Sequence, residues 1–178
     1  GKEVLFDLVI RRHLLGEQPE VPADLPIGGQ TLEDSLGVIR EAIGEIVELL
    51  EETLDSDTPD NARDEFEELL LEWYDIIAEY HLAIRLIEAS AVDWPELSDL
   101  FYNVFRQRAL DSLRTYLELR SSEGVLRKVP SSDVGARLIN ETVSWFAMHR
   151  HGDPHAGDFT DEEARQTVVE VLLHAFVL

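Results

Sequence analysis

The chain has 178 residues, of which 37 are acidic and 15 are lysine or arginine, so its formal charge is −22. A hydrophobic fraction of 44% excludes a disordered acidic tail, and the excess of acid argues against a nucleic-acid interface formed by these residues, because a phosphate backbone needs a basic surface. The chain offers no cysteine for a disulfide and no apolar run long enough to span a bilayer, so we expect a soluble cytoplasmic protein without membrane contact.

Apolar residues recur at helical spacing along the chain, and no alternating pattern predicts a sheet. The first predicted helix covers about 2–15 and is followed by a loop rich in proline and glycine over 17–30. A second helix covers about 31–54. Its start is marked by Thr31 and Asp34, which form a capping box in which Asp takes the place of Glu.

Four more helices complete the predicted fold. A turn-forming stretch at 55–59 precedes the third helix, and Pro95 begins the fourth. Thr160 and Glu163 form a full capping box at the start of the last helix. The four helices are expected at about 60–89, 95–122, 131–149 and 160–178. The sequence therefore predicts one all-α domain of six helices over 1–178.

Acidic residues are concentrated in one stretch, since 31–80 holds 17 acids and two bases. Two pairs in it, Glu45-x-x-Glu48 and Glu72-x-x-Asp75, would chelate magnesium if their helices ran antiparallel, and they resemble the signature of all-α nucleoside triphosphate pyrophosphohydrolases of the MazG-like class. The simpler interpretation is a solvated acidic helix face. A non-catalytic helical interaction protein is a further alternative.

Histidines are concentrated in a short loop, which contains His149, His151 and His155. These side chains could bind a transition metal, but an exposed polar connection between helices explains them as well. We predict no catalytic residue, no cofactor and no metal site.

Three segments resemble the tetracycline-repressor (TetR) family of transcriptional regulators. Gly1-Lys2-Glu3-Val4-Leu5-Phe6 is similar to the junction that follows the family's recognition helix. Glu88-Ala89 with Trp94-Pro95-Glu96-Leu97 is similar to the turn between two long helices of that family. Gly124-Val125-Leu126-Arg127, a Ser-capped helix and an apolar last helix complete the order, so the resemblance covers the whole chain.

The resemblance implies that this chain is the effector-binding and dimerisation portion of a regulator, usually a repressor that a small ligand releases from DNA. The family's N-terminal helix-turn-helix domain, about fifty residues, is missing from these 178 residues. The parent protein would bind operator DNA only through that domain. The implied fold is a six-helix TetR-like regulatory domain.

The last two helices each carry two apolar faces, and one domain core covers only one of them. We therefore predict a homodimer in which these helices form a four-helix bundle with their counterparts. The alternative is that the last helix is central to the monomer. The residues expected at this interface are Ile139, Val143, Phe146, Val168, Leu172 and Phe176.

Large rings with polar tips are concentrated in the middle helices, and such rings often line small-molecule pockets. The residues expected around a ligand are Trp73, Tyr74, Ile77, His81, Tyr102, Phe105, Arg106 and Trp145. With His81 and Arg106 as its polar groups, the pocket would suit a small hydrophobic or aromatic effector, neutral or anionic. The alternative is a filled core in which His81 bonds Glu88 or a backbone carbonyl.

Overall fold

The structure, a computed structural model, describes residues 1–18, 31–54 and 61–178, with side chains for all of these except 45–50, 52–54 and 62. Its helices are α1 (Lys2–Leu14), α2 (Leu32–Leu54), α3 (Ala62–Glu79), α4 (His81–Ala91), α5 (Pro95–Ser98), a π-helical segment (Asp99–Arg106), α6 (Gln107–Ser122), α7 (Ser132–Ala147), a 3-10 turn (His149–Gly152) and α8 (Asp161–Phe176). Within the described ranges no strand forms, and Leu126 and Val177 make an isolated antiparallel bridge. The all-α prediction is confirmed.

The third predicted helix is interrupted, which corrects the expected boundary at 89. Tyr80 has φ −94° and ψ 11°, so the α-helical hydrogen-bond pattern stops there and a new helix begins at His81. The sequence gives no glycine or proline to mark this break. The break reflects tertiary packing, because α3 and α4 pack into different parts of the core.

The fourth predicted helix is continuous over 95–122, but its first half has wider turns. Ser98, Asp99, Arg106 and Gln107 all keep helical φ and ψ values, so the π-helical segment joins α5 to α6 without a break. Such segments are rare and mostly short. This one brings Phe101 and Phe105 into the core.

The two predicted capping boxes are present. The Thr31 backbone N–H donates to the Asp34 carboxylate at 2.8 Å, and the Asp34 N–H donates back to the Thr31 hydroxyl at 3.3 Å. Thr160 and Glu163 make the same reciprocal pair, and Ser131 caps α7 by accepting from the Val134 N–H. The predicted loop at 17–30 lies outside the described residues from residue 19 onward, and the predicted turn at 55–59 lies wholly outside them.

The core consists of two clusters of buried side chains. The main cluster fills the space between α3, α6, α7 and α8. The second cluster joins α1, α2, α4 and the π-helical segment. Ile84 of α4 packs against both. None of the described helices is both long and apolar enough to cross a membrane.

The predicted dimer interface needs a correction, because most of its residues lie inside the chain's own main cluster. Phe146 is partly buried beside Trp145, and the other five side chains are at most 4% exposed, so they are not available to a partner: Ile139, Val143, Val168, Leu172 and Phe176. The outward apolar positions lie one residue round each helix. They include Val134 and Leu138 on α7, Val171 on α8 and Leu178 just beyond it, which are 49–72% exposed.

Candidate functional site

A cavity of about 110 Å³ lies where the two core clusters meet. Helices α1, α2, α3, α4, α6 and α7 and the π-helical segment all contribute to its wall. The lining residues are Leu14, Ile43, Trp73, Ile76, Ile77, Tyr80, Ile84, Glu88, Phe101, Phe105, Arg106, Ala109, Asn140, Glu141, Ser144, Met148 and His149. The cavity is mainly apolar, as small-molecule sites commonly are.

The apolar wall is built from helical repeats. Trp73 and Ile77 are four residues apart and share one face of α3, and Tyr80 follows three residues later, just beyond the end of that helix. Phe101 and Phe105 occupy the inner face of the π-helical segment opposite. Four aromatic rings therefore surround the space.

The polar wall comes mostly from α7. Asn140 and Ser144 are one turn apart on its cavity side, and Glu141 lies beside them. The Arg106 guanidinium donates to Glu141 Oε1 at 2.6 Å, and Arg137 donates to the same oxygen at 3.0 Å. Burial alone would raise the pKa of Glu141, but these two hydrogen bonds outweigh it and hold the pKa below its usual value.

Glu88 of α4 is the second carboxyl on the cavity wall. Burial raises its pKa above the ordinary value, and the charges of His149 and Arg106 only partly offset that effect. Among the described residues, no side chain or backbone group donates a hydrogen bond to it. Glu88 is therefore a half-buried acid without a fixed partner in this part of the chain.

Two further polar groups on the wall lack partners. Asn140 is 7% exposed, and in the described residues its side-chain amide makes no hydrogen bond. Trp73 is also 7% exposed, and its indole N–H is fully buried without an acceptor among the same residues. The Trp73 N–H is too deeply buried for a ligand to reach it, whereas Asn140 and Glu88 give the cavity an unused capacity for polar contacts.

Half of the residues expected around a ligand line this cavity: Trp73, Ile77, Phe105 and Arg106. The other four do not. The Tyr74 hydroxyl donates to the Phe146 carbonyl at 3.2 Å, and Trp145 packs edge-on against the Phe146 ring. Tyr102 packs against the ring of Phe101.

His81 follows the filled-core alternative. Its Nδ1 lies 2.7 Å from the Ala78 carbonyl, and its ring faces that of His151 with centroids 5.2 Å apart. His81 is therefore not a polar group of the cavity, and the expected pairing of His81 with Arg106 in one pocket is corrected.

The residues that sequence reasoning missed are mostly the polar ones. Glu88 follows Ile84 by one helical turn, and Asn140 precedes Ser144 by one turn on an otherwise apolar face of α7. A polar side chain on the inward face of an amphipathic helix was the available signal. Ring size alone does not identify such residues.

The magnesium-chelating alternative loses one of its carboxylates to an ion pair. Arg165 holds Asp75 through two hydrogen bonds of 2.6 Å each. The side chains of Glu45 and Glu48 lie outside the described residues. Over the described ranges, no three His, Asp or Glu side chains are grouped to hold a metal ion.

A comparison with known protein families finds no match for the chain, and no curated protein is significantly similar to it.

Proposed function

We propose that this chain is the small-molecule-binding and dimerisation portion of a ligand-responsive transcriptional regulator of the TetR type, a cytoplasmic repressor. It acts by binding an effector and not by catalysis. The observation that carries the proposal is the mainly apolar cavity with unpartnered polar groups on its wall. The resemblance of three sequence segments to that family supports the same assignment.

The position of the cavity suits a regulatory role because it touches the first helix. Leu14 of α1 lines the cavity. Asp7, fully buried on the same helix, accepts a hydrogen bond of 3.0 Å from the Ser35 hydroxyl, which anchors α1 to α2, and one of 2.9 Å from Arg11 within α1. In the TetR family the helix in this position links the effector domain to the DNA-binding domain, so a ligand that displaces α1 would act on the DNA-binding domain.

The energetics require that the ligand distinguish two states. A ligand shifts an equilibrium only by the difference between its affinities for the two conformations. Helices from both core clusters form the cavity wall, so a change in their relative position changes the cavity. The repressing state would be the one with the poorer fit for the effector.

The DNA-binding surface would belong to the N-terminal domain of the parent protein. At −22 this chain repels the phosphate backbone. A homodimer would place two such domains on the two halves of a palindromic operator. The outward apolar positions of α7 and α8, which include Leu138 and Val171, are the surface for that dimer.

The test uses the parent protein and DNA from upstream of its own gene. Fluorescence anisotropy measures DNA affinity with and without small aromatic compounds that raise the protein's melting temperature. Such compounds should weaken operator binding. Compounds that stabilise the protein without changing its DNA affinity would contradict the proposal, as would a parent protein that does not bind DNA.

A cavity-filling variant makes the test specific. Ala109→Leu adds bulk to a residue that lines the cavity, so it should abolish ligand stabilisation and leave the protein on its operator when ligand is added. Ala89→Leu is the matched control, because Ala89 is exposed on α4 and does not line the cavity. It should respond to ligand as the wild type does.

A further inference from the structure

Asn140 gives the cavity wall a specific chemical preference. Its side chain offers a carbonyl acceptor and an N–H donor side by side, and the residue is only 7% exposed. No described residue completes either hydrogen bond. Neither amide atom is fully buried, and Asn140 lines the cavity, so a ligand that presents the complementary pair gains two hydrogen bonds at once.

The charges on the wall oppose a charged ligand of either sign. An anion would meet the Glu88 carboxylate and the field of a chain with net charge −22. A cation would meet Arg106. Arg106 and Arg137 both pair with Glu141, so this group of three side chains has one positive charge in excess. Since the excess charge of that group and the charge of Glu88 cancel, the wall as a whole favours an uncharged molecule.

The size and the rings of the cavity limit the rest of the ligand. A dry apolar cavity of about 150 Å³ binds benzene, so this smaller space of about 110 Å³ limits the ligand to a single ring. Trp73, Tyr80, Phe101 and Phe105 present aromatic surface to such a ring. The polar edge of the ligand would then face α7.

We infer that the cavity binds an uncharged single-ring molecule with a carboxamide or lactam edge, which pairs with the side-chain amide of Asn140. This inference rests on the proposed function, because it takes the cavity as the effector site. The ligand carbonyl accepts from Asn140 Nδ2–H, and the ligand N–H donates to Asn140 Oδ1. Ser144 and Glu88 offer further acceptors for a second N–H on the same wall.

The test uses four probes of nearly equal size: benzamide, benzoate, benzylammonium and toluene. Isothermal titration calorimetry of the 178-residue chain at neutral pH gives the affinity of each. Benzamide should bind about tenfold or more tightly than each of the other three, because only it completes both hydrogen bonds without adding charge. It should also raise the melting temperature most.

Variants of Asn140 show whether that residue is responsible. Asn140→Leu should weaken benzamide about tenfold and leave toluene unchanged or slightly tighter. Asn140→Asp keeps the shape but removes the donor, so it should weaken benzamide and strengthen benzylammonium. Asn103→Leu is the control, because Asn103 is exposed and outside the cavity; it should leave all four affinities unchanged.

The outcomes separate this inference from the proposed function. If a charged or apolar probe binds and benzamide binds no better, the cavity is a ligand site and the amide preference is wrong. Equal loss of all probes in Asn140→Leu also overturns the preference. If none of the four binds at millimolar concentration, the cavity is not a ligand site, and the proposed function fails with it.

Discussion

Arg120 places a guanidinium inside the protein. Its side chain is 1% exposed, and it donates to Glu65 at 2.9 Å and to Glu123 at 3.0 Å. The guanidinium also lies over the Tyr116 ring, 5.7 Å from its centroid. A buried charge is expensive unless it is paired, so the two carboxylates and the ring are what make this position tolerable.

Removing one partner of this network should be costly. Arg120→Met keeps the length of the side chain but leaves Glu65 without its counter-charge, so we expect a loss of about 3 kcal/mol in the free energy of unfolding. Arg165→Met breaks the pair with Asp75, whose side chains are 27% and 54% exposed, and should cost less than about 1 kcal/mol. Urea denaturation followed by circular dichroism measures both. Equal losses in the two variants would contradict the burial argument.

The histidine loop supplies a pH-dependent contribution to stability. His151 is exposed overall, but partial desolvation beside the His81 ring lowers its pKa, and the charges of Arg150 and His81 act in the same direction. The unfolded chain therefore takes up the proton more readily than the folded protein does. This contribution is present above the ordinary histidine pKa of about 6.5 and is lost as the pH falls below it.

His151→Gln should reduce that pH dependence. Between about pH 7.5 and about pH 5.5 the variant should lose less of its free energy of unfolding than the wild type loses. His155→Gln is the control, because His155 lies in the same loop without the ring contact to His81 that His151 makes, and its loss should leave the wild-type slope. Urea unfolding at each pH gives the comparison. A slope in His151→Gln that matches the wild type would show that His151 does not contribute.

Single residues of the site were predictable where helical spacing decides them. Trp73 and Ile77 are four residues apart, so both line the cavity. Tyr74 is one residue further along than Trp73, about 100° round the helix, so it does not line the cavity and its hydroxyl reaches the Phe146 carbonyl instead. Asn140 could not be ranked from sequence, because its importance depends on whether a neighbouring helix supplies a partner.

Among the helices, those with caps were predicted most accurately. Thr31 and Thr160 fix the starts of α2 and α8 through local hydrogen bonds that the sequence encodes within four residues. The break at Tyr80 has no such local signal. It divides α3, in the main cluster, from α4, in the second, so it depends on how distant helices pack.

The sequence pattern also did not determine which faces of α7 and α8 are buried. Each helix is apolar over two faces, and periodicity does not say which of them points inward. The structure buries Ile139 and Leu172 and exposes Leu138 and Val171. A shift of one residue turns a helix by about 100°, so the prediction chose the wrong face of each helix.

The corrected faces give a sharper test of the homodimer. Leu138 and Val171 are 49% and 58% exposed, so the double variant Leu138→Glu with Val171→Glu should fold normally but be unable to bury these positions against a partner. Light scattering should give about twice the chain mass of 20.2 kDa for the wild type and the chain mass itself for the double variant.

The control for this experiment is Val92→Glu, which places the same charge at a residue 87% exposed and outside α7 and α8. It should remain dimeric. Circular dichroism should give the same helix content for all three proteins. A monomeric wild type would remove the dimer, and a dimeric double variant would place the interface elsewhere.

At the scale of the whole molecule, net charge opposes folding. The ion pairs use most of the bases, and the excess of 22 negative charges repels itself in the compact state. Glu41, Glu68 and Glu79 add to this excess, because each is exposed and none forms an ion pair with a described residue. Salt screens such repulsion over roughly 10 Å at about 0.1 M, so salt should stabilise the protein.

Reversing these three charges should stabilise the protein most where screening is weakest. Each Glu→Lys change makes the net charge more positive by two, so the triple variant of Glu41, Glu68 and Glu79 has a net charge of −16 instead of −22. Glu and Lys have similar helix propensities, so the backbone preference hardly changes. The melting temperature of the triple Lys variant should exceed that of the wild type at about 20 mM salt, and the difference between the two melting temperatures should narrow at about 500 mM. The matching Glu→Gln triple, at −19, should fall between the two. A triple Lys variant that melts below the wild type at low salt would show that local contacts of these carboxylates, and not the summed charge, determine the stability of this surface.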